Sequence, residues 1–286
     1  MRLDTSLRPM ATVVQQEMVI RPPKRWTGLG WAELLSAREL LYFLTKRELQ
    51  VRYKQSIFGV SWAVLQPLVY AFVFALFFGQ LANVPSDGFP YPVFALAGLV
   101  PWMFVSQAVS QGAGSLVADA NLLSKVYFPR LVIPLAKTMS LLVDFLIALG
   151  VLCVMVAIYG ATPSIGLVTV PALMLLAWVT ASGVAIGFGA LNVMYRDVQV
   201  AVPLLVQLWL FASPIAYPSS LIPGNWQYVY ALNPMVTVID GMRWAFLGSD
   251  APSVAVAACS VAGALVVLTV SVLYFRRAER FFADVV

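Results

Sequence analysis

The sequence predicts an all-α integral membrane protein: six transmembrane helices, an N-terminal amphipathic interface helix, and re-entrant half-helices between spans 5 and 6. Three observations carry that class. Of 286 residues, 61% are hydrophobic and 11% charged, and the mean hydropathy of +0.86 exceeds what a water-soluble domain of this length sustains. Six stretches, near residues 60–82, 92–112, 131–159, 165–193, 198–217 and 252–275, reach the roughly 20 apolar residues a membrane helix needs. In that scheme seventeen of the 18 Lys and Arg residues fall on one side and only Arg243 on the other. Basic residues gather on the cytoplasmic side of spans, so both termini are expected there.

Residues 1–30 mix charges, prolines and glycines without periodicity and read as a cytoplasmic tail. No cleavable signal sequence is legible in them, which leaves the first span to direct insertion. From Trp31 to residue 58 the chain reads as an interface helix and connector. Leu34, Ala37, Leu41 and Leu44 recur at steps of three and four, with Arg38, Lys46 and Arg47 mostly off that line. An ordinary cytoplasmic helix would show the same pattern. Residues 1–58 hold ten basic and five acidic groups, whereas the rest balances at eight each. The net charge of +5 therefore belongs to one juxtamembrane arm, whose expected partner is anionic membrane lipid and not nucleic acid.

Residues 59–280 form the expected transmembrane domain, followed by a cytoplasmic C-terminus at 281–286. The connections at 83–91 and near Thr162-Pro163 lack Lys and Arg and belong outside, while Tyr195-Arg-Asp-Val198 makes a tight inner turn. Between spans 2 and 3, residues 119–130 keep Leu122, Leu123, Val126, Tyr127 and Phe128 together beside Lys125, Pro129 and Arg130. Apolar residues held outside the bilayer want a protein partner. With Pro129 ending one short helix and Pro134 opening the next span, a push on this segment is expected to tilt span 3 as a unit. Residues 218–249 are too long for a turn, rich in aromatics and broken at Asn233-Pro234. Two half-helices dipping into the outer leaflet fit them, and a loop lying on the surface is the plainer alternative.

The ionisable residues limit the chemistry. No Gly-Lys dipeptide occurs, so the phosphate-cradling loop of an ATPase is missing, and nucleotide energy must come from another subunit. The chain contains no His, and neither a convergent acid-base pair nor a metal site can be assembled. Only Lys137 and Asp144 place charge inside a span. Seven residues apart, they lie about 10 Å apart along one helix face and cannot bond to each other. An Asp near mid-span costs on the order of 3 kcal/mol to insert, so Asp144 must meet a polar partner or water. A packing hydrogen bond with Lys137 snorkelling to the headgroups is one reading, and a proton or ion relay is the other. Asp240 and Arg243, three apart, have the spacing of a local ion pair. Tyr70, Phe74, Phe77 and Phe78 stripe one face of span 1, and Trp209 and Tyr217 stand in span 5. Such rings either stack on sugars in a wet conduit or pack helices.

These residues carry a resemblance. Arg52-Tyr-Lys-Gln-Ser-Ile-Phe-Gly-Val-Ser-Trp62 with Gln66-Pro67, Lys125-Val-Tyr-Phe-Pro-Arg130 with Pro134, Tyr195-Arg-Asp197, Ser213-Pro214 with Tyr217-Pro218, and Asn233-Pro-Met235 followed by Asp240 and Arg243 occur in the order found in one family. Across residues 31–280 the chain resembles the membrane subunits of type-2 ABC exporters for O-antigen, capsular polysaccharide and teichoic acid. The resemblance implies a multi-pass subunit of the bacterial plasma (inner) membrane, working as a homodimer with two copies of an ABC ATPase. That ATPase would hold ATP and magnesium, leaving this chain without a cofactor or catalytic residue of its own.

The same resemblance implies that a lipid-linked polysaccharide passes through a channel at the dimer interface, with Tyr70, Phe74 and Phe77 facing sugar. Leu122 to Arg130 would dock on the ATPase, and the half-helices carrying Asn233, Pro234, Asp240 and Arg243 would close the outer mouth. Two other classes share parts of this pattern. A similar exporter could carry a drug or other small molecule, and an ion-coupled carrier would use Asp144 and Lys137 as its relay.

Overall fold

A computed structural model describes residues 31–54, 59, 61–125 and 128–282. The tail 1–30, Val126, Tyr127 and residues 283–286 lie outside the described residues, as do the side chains of Leu123 and Lys125. The described elements are α1 (Trp31–Ser36), α2 (Arg38–Lys54), α3 (Ser61–Phe74), α4 (Tyr91–Ala118), α5 (Ala120–Lys125), α6 (Val132–Ser140), α7 (Leu142–Ile158), α8 (Val170–Met194), α9 (Val198–Phe211), α10 (Gln227–Tyr230), α11 (Pro234–Leu247) and α12 (Val254–Ala278). Short 3₁₀ turns join several of them, and α3 runs on through a π-helical stretch to Leu81.

Five helical segments are long and apolar enough to cross a membrane: Ser61–Leu81, Tyr91–Ala118, Val132–Ile158, Ile165–Met194 and Val254–Ala278. Together they make the chain a multi-pass membrane protein. The expected span at 198–217 is shorter than the sequence suggests. Its helix, α9, has 14 residues, about 21 Å of rise against roughly 30 Å of hydrocarbon. The third span is also divided, into α6 and α7, at Leu141.

The core is built around α4, almost wholly buried, with α8 lying along it. Gly112 explains the close approach, because a Cβ there would sit 2.7 Å from the Ala185 methyl. Small residues let membrane helices meet at backbone distance, where dispersion and hydrogen bonds replace the missing hydrophobic drive. Here Asn192 Nδ2 donates to the Ala113 carbonyl at 3.0 Å, and the Thr138 and Ser182 hydroxyls bond at 3.1 Å. On its other face α8 packs along α12, against which Gly183 lies flat.

α11 is not a surface loop. Asn233 caps it by accepting from the Met235 N–H at 3.1 Å, Pro234 fills the first turn where no N–H is needed, and Gly248 ends it with a left-handed φ of 73°. Its side chains Met235, Val238, Ile239 and Met242 are fully enclosed by contacts with α4, α8 and α12. The two-residue break at Asn233-Pro234 is thus a helix start.

Buried apolar side chains fall into two clusters. The larger fills the bundle from Phe74 and Val93 to Met242 and Phe246. A separate one at the charged end joins Leu116, Leu131, Ile186, Val193, Phe275 and Phe282, bringing together the ends of α4, α8 and α12 and the start of α6.

Candidate functional site

Three regions hold the residues singled out in the sequence. The first is the junction of α2 with the second and third spans. The Lys137 ammonium pairs with the Glu48 carboxylate, and Asp144 is held on one oxygen by the Arg52 guanidinium and on the other by the Tyr53 hydroxyl. Arg52 also donates to Gln111 Oε1 at 3.0 Å, and Arg47 donates to Asp119 Oδ1 at 2.6 Å. Asp119 holds the Arg47 guanidinium above its ordinary pKa through that hydrogen bond, against the opposing effect of burial. Lys137 and Asp144, unable to reach each other, are each matched by opposite charge on α2, where Glu48 and Arg52 stand one turn apart.

This junction bears on the two readings of Asp144. Both carboxylate oxygens and the Lys137 ammonium are engaged inside the chain, which favours fastening over a relay, and the snorkelling expected of Lys137 is replaced by a protein partner. The sequence reading missed Glu48, Gln111 and the pairing of Arg52 and Tyr53 with Asp144. One signal was available: two opposite charges four apart on α2 face two opposite charges seven apart on the third span. Beside Arg52, Tyr53 and Asp144 a cavity of about 160 Å³ extends to Trp62, Gln66 and Phe104.

The second region is the segment between α4 and α6. α5 is a six-residue helix carrying Leu122 and Leu123. Phe128 packs against the charged-end cluster. Arg130 turns inward, donating to the Glu279 carbonyl at 2.9 Å, with its guanidinium 5.8 Å from the Phe282 ring. Pro129 precedes α6, its carbonyl accepting from Val132 N–H at 3.0 Å.

The third is the turn after α9. Its residues 212–217 are irregular, and a backbone freed from its helix inside a membrane needs other partners. Side chains provide them. Asn233 Nδ2 donates to the Ala212 carbonyl at 3.1 Å and Ser213 Oγ at 3.0 Å. Arg243 donates to the Ile215 carbonyl at 3.0 Å, and the Tyr91 hydroxyl donates to the Ala216 carbonyl at 2.6 Å. This is why α9 can stop at Phe211.

Arg243 is 3% exposed. It lies 3.6 Å from Asp240 and 3.6 Å above the Phe94 ring centroid. The single basic residue on the far side of the charge count is therefore neutralised and enclosed within the subunit.

The aromatic residues divide. Tyr70 and Phe77 are exposed along α3 and its extension, whereas Phe74 is buried and packs on Phe78 at 5.2 Å between ring centroids. Phe78 lies against the main core. Trp209 meets Trp102 edge-on at 5.5 Å and donates from its indole nitrogen to Asn233 Oδ1 at 3.0 Å. The Tyr217 and Tyr230 hydroxyls bond at 3.0 Å. Above them a cavity of about 490 Å³ opens among Trp209, Ile222, Trp226, Tyr230 and Asn233.

The chain is thus a multi-pass helical bundle fastened by a charged helix, with a capped buried helix supporting a broken backbone. The chain belongs to the ABC-2 type transporter family, whose sequence pattern matches residues 39–247. It is 33% identical to an O-antigen export system permease protein RfbA of Klebsiella pneumoniae, over 73% of this chain and 80% of that one. Its identity to the Myxococcus xanthus protein of the same description is 34%, over 80% and 90%. It is also 24% identical to the polysialic acid transport protein KpsM of Escherichia coli, over 70% and 78%.

Proposed function

We propose that this chain is the membrane subunit of an ATP-driven exporter that moves a lipid-linked polysaccharide of O-antigen, capsule or teichoic acid type out of the cytoplasm. The observation that carries the proposal is its similarity, over most of its length, to permeases described as exporting O-antigen. Six crossings with both termini inside, the fifth completed by α9 and the turn after it, follow from the distribution of Lys and Arg. Two copies pair with two ATPase copies, and residues 119–130 receive the ATPase. The apolar residues gathered around Leu122 in the sequence and the lack of any Gly-Lys dipeptide in this chain support that role. Tyr70 and Phe77 face the conduit between copies, as their exposure on α3 suggests, and α10 and α11 form the re-entrant outer closure.

Deleting the gene tests this reading. The expected result is a cell surface without the polymer and lipid-linked polymer accumulating inside, both reversed by the intact gene. Undiminished surface polymer in the deletion strain would overturn it. A drug-exporting subunit would leave the polymer untouched and change drug sensitivity instead.

A further inference from the structure

Arg130 and the end of the chain form a contact that the transport reading leaves unused. Arg130 closes the segment between α4 and α6, and its guanidinium donates to the Glu279 carbonyl at 2.9 Å and lies 5.8 Å from the centroid of the Phe282 ring. Phe282 is 2% exposed and meets Phe275 of α12 edge-on at 5.4 Å. The ring belongs to a cluster, separate from the main core, that also holds Leu131 at the start of the third span and Ile186 and Val193 from the end of α8. Phe128 packs on the same cluster. The start of the third span, the ends of the fourth and last spans and the C-terminal turn therefore share one apolar cluster, and this turn is tied by a charge-assisted hydrogen bond to the segment expected to receive the ATPase.

We propose that the C-terminal turn Glu279–Phe282 is a latch that transmits movement of the 119–130 segment to α12 and α8, with Arg130 as its positioning residue. The latch rests on the reading of 119–130 as the ATPase-receiving segment. A push there reaches α6 directly and α8 through its packing on α6, and the latch carries it on to α12 as well. Because packed interiors shift between discrete arrangements and do not deform smoothly, a cluster that holds this ring together with residues of three span ends moves as one. Arg130 holds the ring's turn in place, and a hydrogen bond involving a charged group is the stronger kind available for it.

The test uses the full chain produced with its ATPase, measuring surface polymer per chain in the membrane, co-purification of the ATPase, and ATP hydrolysis by the complex. Phe282→Ala, and a stop codon after Ala278, should lower export about tenfold, as loss of one well-packed ring or charge-assisted bond permits. ATPase association and hydrolysis should persist in both. A stop after Phe282 should export normally. Arg130→Ala should lower export and Arg130→Lys, which keeps a charged donor for the Glu279 carbonyl, should recover it. If Phe282→Ala is lost from the membrane, Phe282→Leu is read instead, with export between those of wild type and the truncation. Full export from the Ala278 truncation or from Phe282→Leu would overturn the latch. So would loss of ATPase association from either, since the turn would then be a docking contact. Failure of the transport reading is distinct: the unaltered chain would retain no ATPase.

Discussion

Asp144 shows how a carboxylate is kept inside an apolar span. Arg52 and Tyr53 each occupy one of its oxygens, and seven residues earlier Glu48 does the same for Lys137. Removing one member of such a pair leaves an uncompensated charge, which costs about 3 kcal/mol. Glu48→Lys and Lys137→Glu should each lower the unfolding temperature of the purified protein, and the double variant should recover most of it because the pair is restored in reverse. Equal, additive losses in the double variant would show that the pair contributes nothing. Arg243 is less replaceable. Its planar fork serves the Ile215 carbonyl, the Phe94 ring and Asp240 together, which a Lys point charge cannot. Arg243→Lys should destabilise by about 2 kcal/mol, and Arg243→Met, which strands the partly buried Asp240, by more. Thermal unfolding in detergent checks both. The need of Asp144 for a partner was legible from insertion cost alone. The identity of the partner was not, because Arg52 lies 92 positions away on a helix whose apolar line pointed to the membrane surface, with no sign of a neighbouring span.

At the scale of elements, α4 and α8 depend on a single missing methyl group. Gly112→Ala brings a Cβ to 2.7 Å from that of Ala185, and overpacking of this kind costs about 1 to 3 kcal/mol. Ala185→Gly should suppress the defect in the double variant, and Gly112→Leu should prevent accumulation of folded protein, both read from membrane levels and unfolding temperature. Normal folding of Gly112→Leu would contradict the close approach. Helix type and placement were legible wherever an apolar run was long and uninterrupted, as in α4, α8 and α12. The length of α9 was not. Apolar composition continues past Phe211 through Ile215 and Ala216, and only the carbonyl partners on α4 and α11 reveal that the helix stops. Asn233-Pro234 read as a break from sequence, and its geometry as a cap is the other side of the same chemistry: a side-chain acceptor followed by a residue with no N–H begins a helix as readily as it interrupts one. Of the aromatic stripe on α3, spacing alone could not separate Phe74, which faces the core, from Tyr70 and Phe77, which do not. The helix widens into π geometry from Ala75, so a period of 3.6 no longer tracks its faces.

At the scale of the molecule, charges fasten helices and polar side chains satisfy a broken backbone. In the proposed exporter the work comes from a partner ATPase. An exporter driven by a partner ATPase and a carrier driven by an ion gradient therefore differ in their energy source, and energy source is the most direct point of contradiction. The deciding measurement is movement of lipid-linked polysaccharide across inverted plasma-membrane vesicles holding this chain and its ATPase. The account predicts transport into the vesicle lumen that requires ATP hydrolysis, persists when the proton gradient is collapsed, and is absent without this chain. Transport that continues without ATP and stops when the gradient is collapsed would contradict it.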